Sequence, residues 1–263
     1  MAIFQRYTIF LGILAISAFL PICAQTYNYE AEMEKFINAN EANSWVIVTP
    51  SSKPYPSYPQ GLIRNNGPVV FHDGQAPTQP EGEWLALIEQ DGQWRLEPTL
   101  LHINRTYDSL TDAAGETTGI VIESSEHPDA IAFLQHPQIK PGLLETPEKA
   151  MWAAQQDGEA QSPLFRFEFL NYAYQLNTSA IDAEFQRITY TFNDGLQASE
   201  LSVGPVSSIR NIWIGDLDRD AIADILIWTD DGYNVSPACV FLSSNAKQNE
   251  LVERAGCHIT SGC

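Results

Sequence analysis

The residues best equipped for chemistry lie in one short run, Gly215 to Trp228, which reads GDLDRDAIADILIW. Asp216, Asp218, Asp220 and Asp224 fall at alternate or near-alternate positions, and Ile222 adds a backbone carbonyl between the last two. A tight loop turns alternate side chains inward, so these oxygens are expected to converge on one point. Calcium takes about six to eight oxygens at about 2.3–2.6 Å in flexible geometry, with water completing the set. Magnesium prefers a smaller octahedron and keeps its waters, and zinc finds none of its usual nitrogen or sulfur ligands here. Two carboxylates about 4 Å apart repel by about 4 kcal/mol at an effective dielectric near 20. Several such pairs would splay an empty loop, and a doubly charged cation reverses the sign. The reading is a calcium site formed by Asp216, Asp218, Asp220, Ile222 and Asp224; a solvent-exposed acidic turn is the alternative.

The residues just beyond the loop separate the classes of calcium loop. An EF-hand would place a bidentate acid at its last position and continue as a helix. Here that position is Ile227, and the sequel Ile225-Leu226-Ile227-Trp228 reads as a strand. The stretch IWIGDLDRDAIADILIW therefore resembles the calcium loops between two strands of FG-GAP and VCBS repeats, whose pattern is D-x-D-x-D-G-x-x-D. The resemblance implies Asp216, Asp218, Asp220 and Asp224 as ligands and a structural role for the ion. The family's glycine is Ala221 here, so either a non-glycine residue sits at positive φ, at about 1–2 kcal/mol, or the turn takes another path. The motif occurs once, and a propeller needs about four or more blades. A full propeller is excluded.

No other constellation rises to a catalytic motif. H-E-x-x-H, G-x-S-x-G, a glycine-rich phosphate loop and C-x-x-C are all lacking. His72, His102, His127, His136 and His258 are scattered without ligand spacing, and His72-Asp73 adjoins a turn. The expectation is a non-catalytic calcium-binding protein, with calcium as its cofactor and an interaction role toward a protein or glycan partner. The competing reading, an envelope-polymer hydrolase using carboxylates in an inter-domain cleft, rests only on export and abundant acids.

Thirty-three acidic residues against 14 basic ones give a formal charge of −19. Nucleic acid needs a basic face to neutralise phosphate, so it is excluded as a partner, and an anionic membrane surface is disfavoured. The amino end, MAIFQRYTIFLGILAISAFLPICAQ, has the layout of a secretory signal peptide, with cleavage expected after Ala24. Its apolar stretch is short for a transmembrane segment. Lipid attachment at Cys23 is the rival, opposed by bulky Ile22. The expected product is exported, to the periplasm or beyond.

The remaining cysteines, Cys239, Cys257 and Cys263, crowd the carboxyl end. If Cys239–Ser243 and Leu251–Arg254 are the arms of a hairpin centred near Gln248, Cys239 stands opposite Cys257 and an oxidising compartment joins them. Pairing of Cys257 with Cys263 is the alternative.

The elements that would position these residues are mostly strands. A short helix is expected around Tyr29, Met33, Phe36 and Ile37, followed by a strand at Trp45–Val48 and a proline-rich break at 49–61. Trp84–Ile88 and Trp94–Leu96 flank Asp91-Gly92, a hairpin signal because both central residues tolerate positive φ. Gly119–Ile122 and Ala130–Leu134 read as further strands. Thr146 and Pro147 mark a helix start, with Gly158 just past its end. Leu164–Leu176 reads as one long strand with a bulge near Leu170, because its aromatic residues change parity there. Ile188, Tyr190 and Phe192 alternate up to a turn at Asn193-Asp194-Gly195. The fold class is thus mostly antiparallel β with a few short helices. A signal peptide at 1–24, a β-rich domain at 25–145 and a second, calcium-binding β-rich domain at 146–263 are expected.

Overall fold

In the computed structural model, residues 47–49, 70–72, 75–77, 80–153, 165–182, 187–204, 208–230 and 235–261 are described. The signal peptide, Cys23, the expected helix near Met33, the proline-rich break and Cys263 lie outside them. The chain is built from antiparallel strands, and helical structure among the described residues is confined to 3-10 turns.

The first five-stranded sheet contains β1 (Ile47–Val48), β2 (Trp84–Gln90), β3 (Gln93–Thr99), β6 (Ala132–Leu134) and β7 (Gly142–Leu143), in the order β1-β6-β2-β3-β7. Its central hairpin turns at Asp91 (φ 54°) and Gly92 (φ 75°), the left-handed pair that matches strand twist. β4 (His102–Thr106) and β5 (Gly119–Glu123) form a separate ribbon.

The second five-stranded sheet runs β16-β15-β14-β13-β8. It comprises β8 (Met151–Ala153), β13 (Ser208–Gly215), β14 (Asp224–Asp230), β15 (Val235–Leu242) and β16 (Glu253–Ser261). Over the described residues 147–153, the helix expected from Pro147 is not formed. Residues 147–150 are irregular, and Met151–Ala153 pairs with Asn211–Trp213 as an edge strand. Capping signals are local and weak, and docking onto an open sheet edge overrides them.

A four-stranded sheet of β9 (Phe165–Phe169), β10 (Tyr172–Asp182), β11 (Arg187–Asn193) and β12 (Ala198–Leu201) completes the fold. The bulge expected near Leu170 is instead a tight hairpin. Leu170 (φ 45°) and Asn171 (φ 71°) reverse the chain, so Phe167 pairs with Tyr174 and Phe165 with Leu176. The parity change has a simple cause: the turn takes two residues, and both aromatic series return to one face. There Phe167 stacks on Tyr174 at 5.2 Å between ring centroids, and Tyr174 on Phe192 at 5.3 Å.

The apolar residues sort into three cores between four layers. One, with Phe71, Trp84, Ala86, Ile120, Ile122 and Phe133, lies between the ribbon and the first sheet. A second brings Leu87, Trp94, Leu96 and Leu134 of the first sheet against Trp213, Leu226, Trp228 and Val240 of the second. The third joins Ile212, Ile214, Ile225, Ile227 and Phe241 to the aromatic face of the four-stranded sheet. The second sheet is therefore covered on both faces, which is why β13, β14 and β15 read as nearly unbroken apolar runs. Residue 146 falls between β7, in the first sheet, and β8, in the second. Cys239 and Cys257 stand opposite each other on β15 and β16 and are joined by a disulfide, with Cα atoms 4.1 Å apart.

Candidate metal centre

The aspartate run is the hairpin connection between β13 and β14. Gly215 and Asp224 form the last rung of the ladder, so both ends of the loop are held at one point. Gly215 is needed there because a Cβ would come 2.5 Å from the ring of Trp213 and 3.0 Å from the Glu145 carbonyl. Beyond that rung Asp216 shapes the turn with its own carboxylate. Its Oδ1 accepts the N–H groups of Arg219 (2.7 Å) and Asp220 (3.1 Å), and its Oδ2 accepts that of Ala221 (3.0 Å). Successive N–H groups thus converge on one carboxylate, a local Asx-type turn. Arg219 sits at φ 67° and Ala221 at φ 69°. Of the two paths open to Ala221, the chain takes the strained one.

Asp224 is fully buried. Its Oδ2 accepts from Leu217 N–H at 2.7 Å, and its Oδ1 from Ser243 N–H at 2.7 Å. Asp220 Oδ1 accepts the N–H of Ile222 at 2.8 Å. Ser244 N–H reaches Asp218 Oδ2 at 3.2 Å, while Asp218 Oδ1 is closed off from solvent and has no hydrogen-bond partner. Carboxylate oxygens of Asp216, Asp218 and Asp224 gather within 4.8 Å of one another. Asp220 joins them through Ser243, whose hydroxyl lies 2.9 Å from Asp220 Oδ2. Ile222 enters the network through its N–H. The four acids and Ile222 named from the sequence thus occupy one turn; Ser243 was not named. It lies in the 3-10 turn Ser243–Asn245 after β15, and nothing in its neighbouring residues signals the contact.

Charge makes this turn unusual. Burial raises the carboxyls of Asp216 and Asp220, partly offset by the N–H groups they accept. Burial raises Asp224 well above the usual carboxylate range, and the charge of Asp218 adds to that. Among the described residues no Lys or Arg forms an ion pair with any of the four. Arg219, inside the loop, turns away and donates to the Pro141 carbonyl at 2.6 Å.

No protein-family model, curated protein or solved structure matches the chain.

A strap from the first sheet closes the other side. Asp216 N–H donates to the Glu145 carbonyl at 2.9 Å, and Ser244 Oγ donates to Gln138 Oε1 at 2.9 Å. Gly142 lies at φ 118° under Arg219, where a Cβ would meet Nη2 at 2.7 Å. His136, on the same strap, is lowered by burial, against the pull of the Asp218 charge.

The remaining histidines do not converge. His72 pairs through Nδ1 with Asp108 Oδ2 at 2.5 Å, a partner 36 residues away that the His72-Asp73 spacing concealed. His102 contacts Ser125. His258 is buried and satisfied by backbone groups on both nitrogens. A cleft of about 570 Å³ runs from Glu89 and Trp94 to Glu145 and Lys149, and a second of about 690 Å³ lies between Glu148 and the Arg166–Glu168 strand.

Proposed function

We propose that the protein is an exported, non-catalytic calcium-binding β protein in which the ion locks the connection between β13 and β14. The observation that carries this reading is the Asp218 carboxylate, one oxygen of which is enclosed and unpartnered among acids that no Lys or Arg offsets among the described residues. A buried acceptor without a donor costs free energy, and like charges beside it add to the cost. A hard dication bound to oxygen alone removes both terms. The strand-loop-strand placement, the D-x-D-x-D spacing and the positive φ of Ala221 where FG-GAP and VCBS loops carry glycine support the same assignment. The Cys239–Cys257 disulfide supports an oxidising compartment, in keeping with export.

The ion is structural in this reading. Each of the four acids also accepts a backbone N–H, which fixes it in the turn, and the ion ties the loop to the β15–β16 connection. The test is thermal unfolding in calcium, in magnesium and in chelator, together with elemental analysis of the purified protein. Linkage gives about 2.7 kcal/mol of added stability at a hundredfold excess of free ion over its dissociation constant. A melting temperature indifferent to calcium, with no calcium by elemental analysis, overturns the reading.

A further inference from the structure

We infer that Ser243, supplied by the connection between β15 and β16, is a ligand of this same cation site; the inference rests on the calcium reading above. Ser243 lies 19 residues beyond Asp224, outside the D-x-D-x-D run. Its Oγ stands 2.9 Å from Asp220 Oδ2, 3.1 Å from Asp224 Oδ1 and 3.4 Å from Asp218 Oδ2. A hydroxyl carries one proton, so it satisfies one of these three acceptors. The other two contacts receive no proton from Ser243.

The spacing makes sense as the edges of a coordination shell. Around a seven-coordinate calcium with oxygens at about 2.4 Å, neighbouring ligand oxygens stand about 2.8–3.4 Å apart. All three separations from Ser243 Oγ fall in that range. Two further observations point the same way. Ser243 is only 8% exposed, and Asp218 Oδ1 beside it is enclosed without a partner.

The residue is held independently of its hydroxyl. Ser243 N–H donates to Asp224 Oδ1 at 2.7 Å, and Ser244 N–H donates to Asp218 Oδ2 at 3.2 Å. Removing Oγ therefore leaves the turn anchored, and Ser243→Ala isolates the ligand from the scaffold.

The experiment compares the full chain with Ser243→Ala and Ser243→Thr. Calcium affinity is measured by calorimetry, and bound water is counted from terbium luminescence lifetimes in H₂O and D₂O. Ser243→Ala is expected to weaken calcium by about tenfold or more and to admit additional water to bound terbium. Ser243→Thr, which keeps the hydroxyl, is expected to restore affinity and water count. Wild-type affinity and hydration in Ser243→Ala overturn the inference while the calcium reading stands. Lost affinity with unchanged hydration also overturns it, because the serine then acts through the fold alone. A wild-type chain that binds neither ion overturns both.

Discussion

The ring of His258, in the last strand, accepts the backbone N–H of Thr49 at 3.0 Å, across 209 residues of sequence. Its Nε2–H donates to the Gln75 carbonyl at 3.0 Å, and its ring packs edge-on against Phe71. This arrangement needs a neutral ring with Nδ1 free to accept, so a second proton opposes it. Burial pushes His258 from its ordinary 6.5 down to about 4. The unfolded chain therefore takes up the proton first. The contribution is fully present above about pH 6.5 and is lost as pH falls through the folded value near 4, by about 3 kcal/mol in all. Denaturant unfolding at stepped pH is expected to show a steeper loss of stability in the wild type than in His258→Gln. Identical slopes would remove His258 as the cause.

Asp218 and Asp224 are expected to separate the metal from the scaffold. Asp224→Ala leaves the buried N–H groups of Leu217 and Ser243 without an acceptor, and should cost about 3 kcal/mol in chelator and more in calcium, where the ion loses a ligand as well. Asp218→Ala removes an enclosed, unpartnered oxygen together with the exposed Ser244 N–H contact to its other oxygen, so in chelator it should change stability by less than about 1 kcal/mol. In calcium it should abolish the rise in melting temperature. An Asp218→Ala protein that still shows the full calcium shift would sink this assignment.

Ala221→Gly is expected to relieve the strain of φ 69°. Left-handed backbone costs a non-glycine residue about 1–2 kcal/mol, of which glycine's greater unfolded entropy takes back about 0.5–1 kcal/mol. A net gain of about 0.5–1 kcal/mol should appear in chelator, with tighter calcium binding. Urea midpoints and calorimetry check both; a loss of stability counts against the strain argument.

The disulfide is expected to stabilise mainly through the unfolded chain. Cys239 and Cys257 are separated by 18 residues and are buried in the core against the four-stranded sheet. Cys239→Ala with Cys257→Ala should lower stability by about 3 kcal/mol in the loop-closure account. Peptide mapping without reduction should recover a 239–257 link. A dominant 257–263 link would contradict the register of β15 and β16.

Much of the local architecture was legible from the chain. Asp91-Gly92 dictated its hairpin because both residues accept left-handed φ, and the Cys239–Cys257 pairing followed from counting outward from a hairpin centre. The acid spacing placed Asp216 to Asp224 in one turn between two strands. Where local signals misled, non-local contacts had decided. The Thr146-Pro147 capping pattern yielded to an open edge beside β13, and the parity change at Leu170 marked a turn, because a bulge and a two-residue hairpin look alike until the partner strand is known.

What the residues determined alone was the antiparallel β character and the acidic turn, since each depends on φ preferences and side-chain alternation over a few neighbours; which of its two paths Ala221 takes was decided by the structure. Tertiary structure decided the stacking of four layers, the delivery of Ser243 to the aspartates and the hold of His258 on Thr49 and Gln75. Those contacts join segments separated by 19 to 209 residues. They depend on which sheet faces meet, and a sheet's alternation marks the buried side of each strand without naming the surface that covers it.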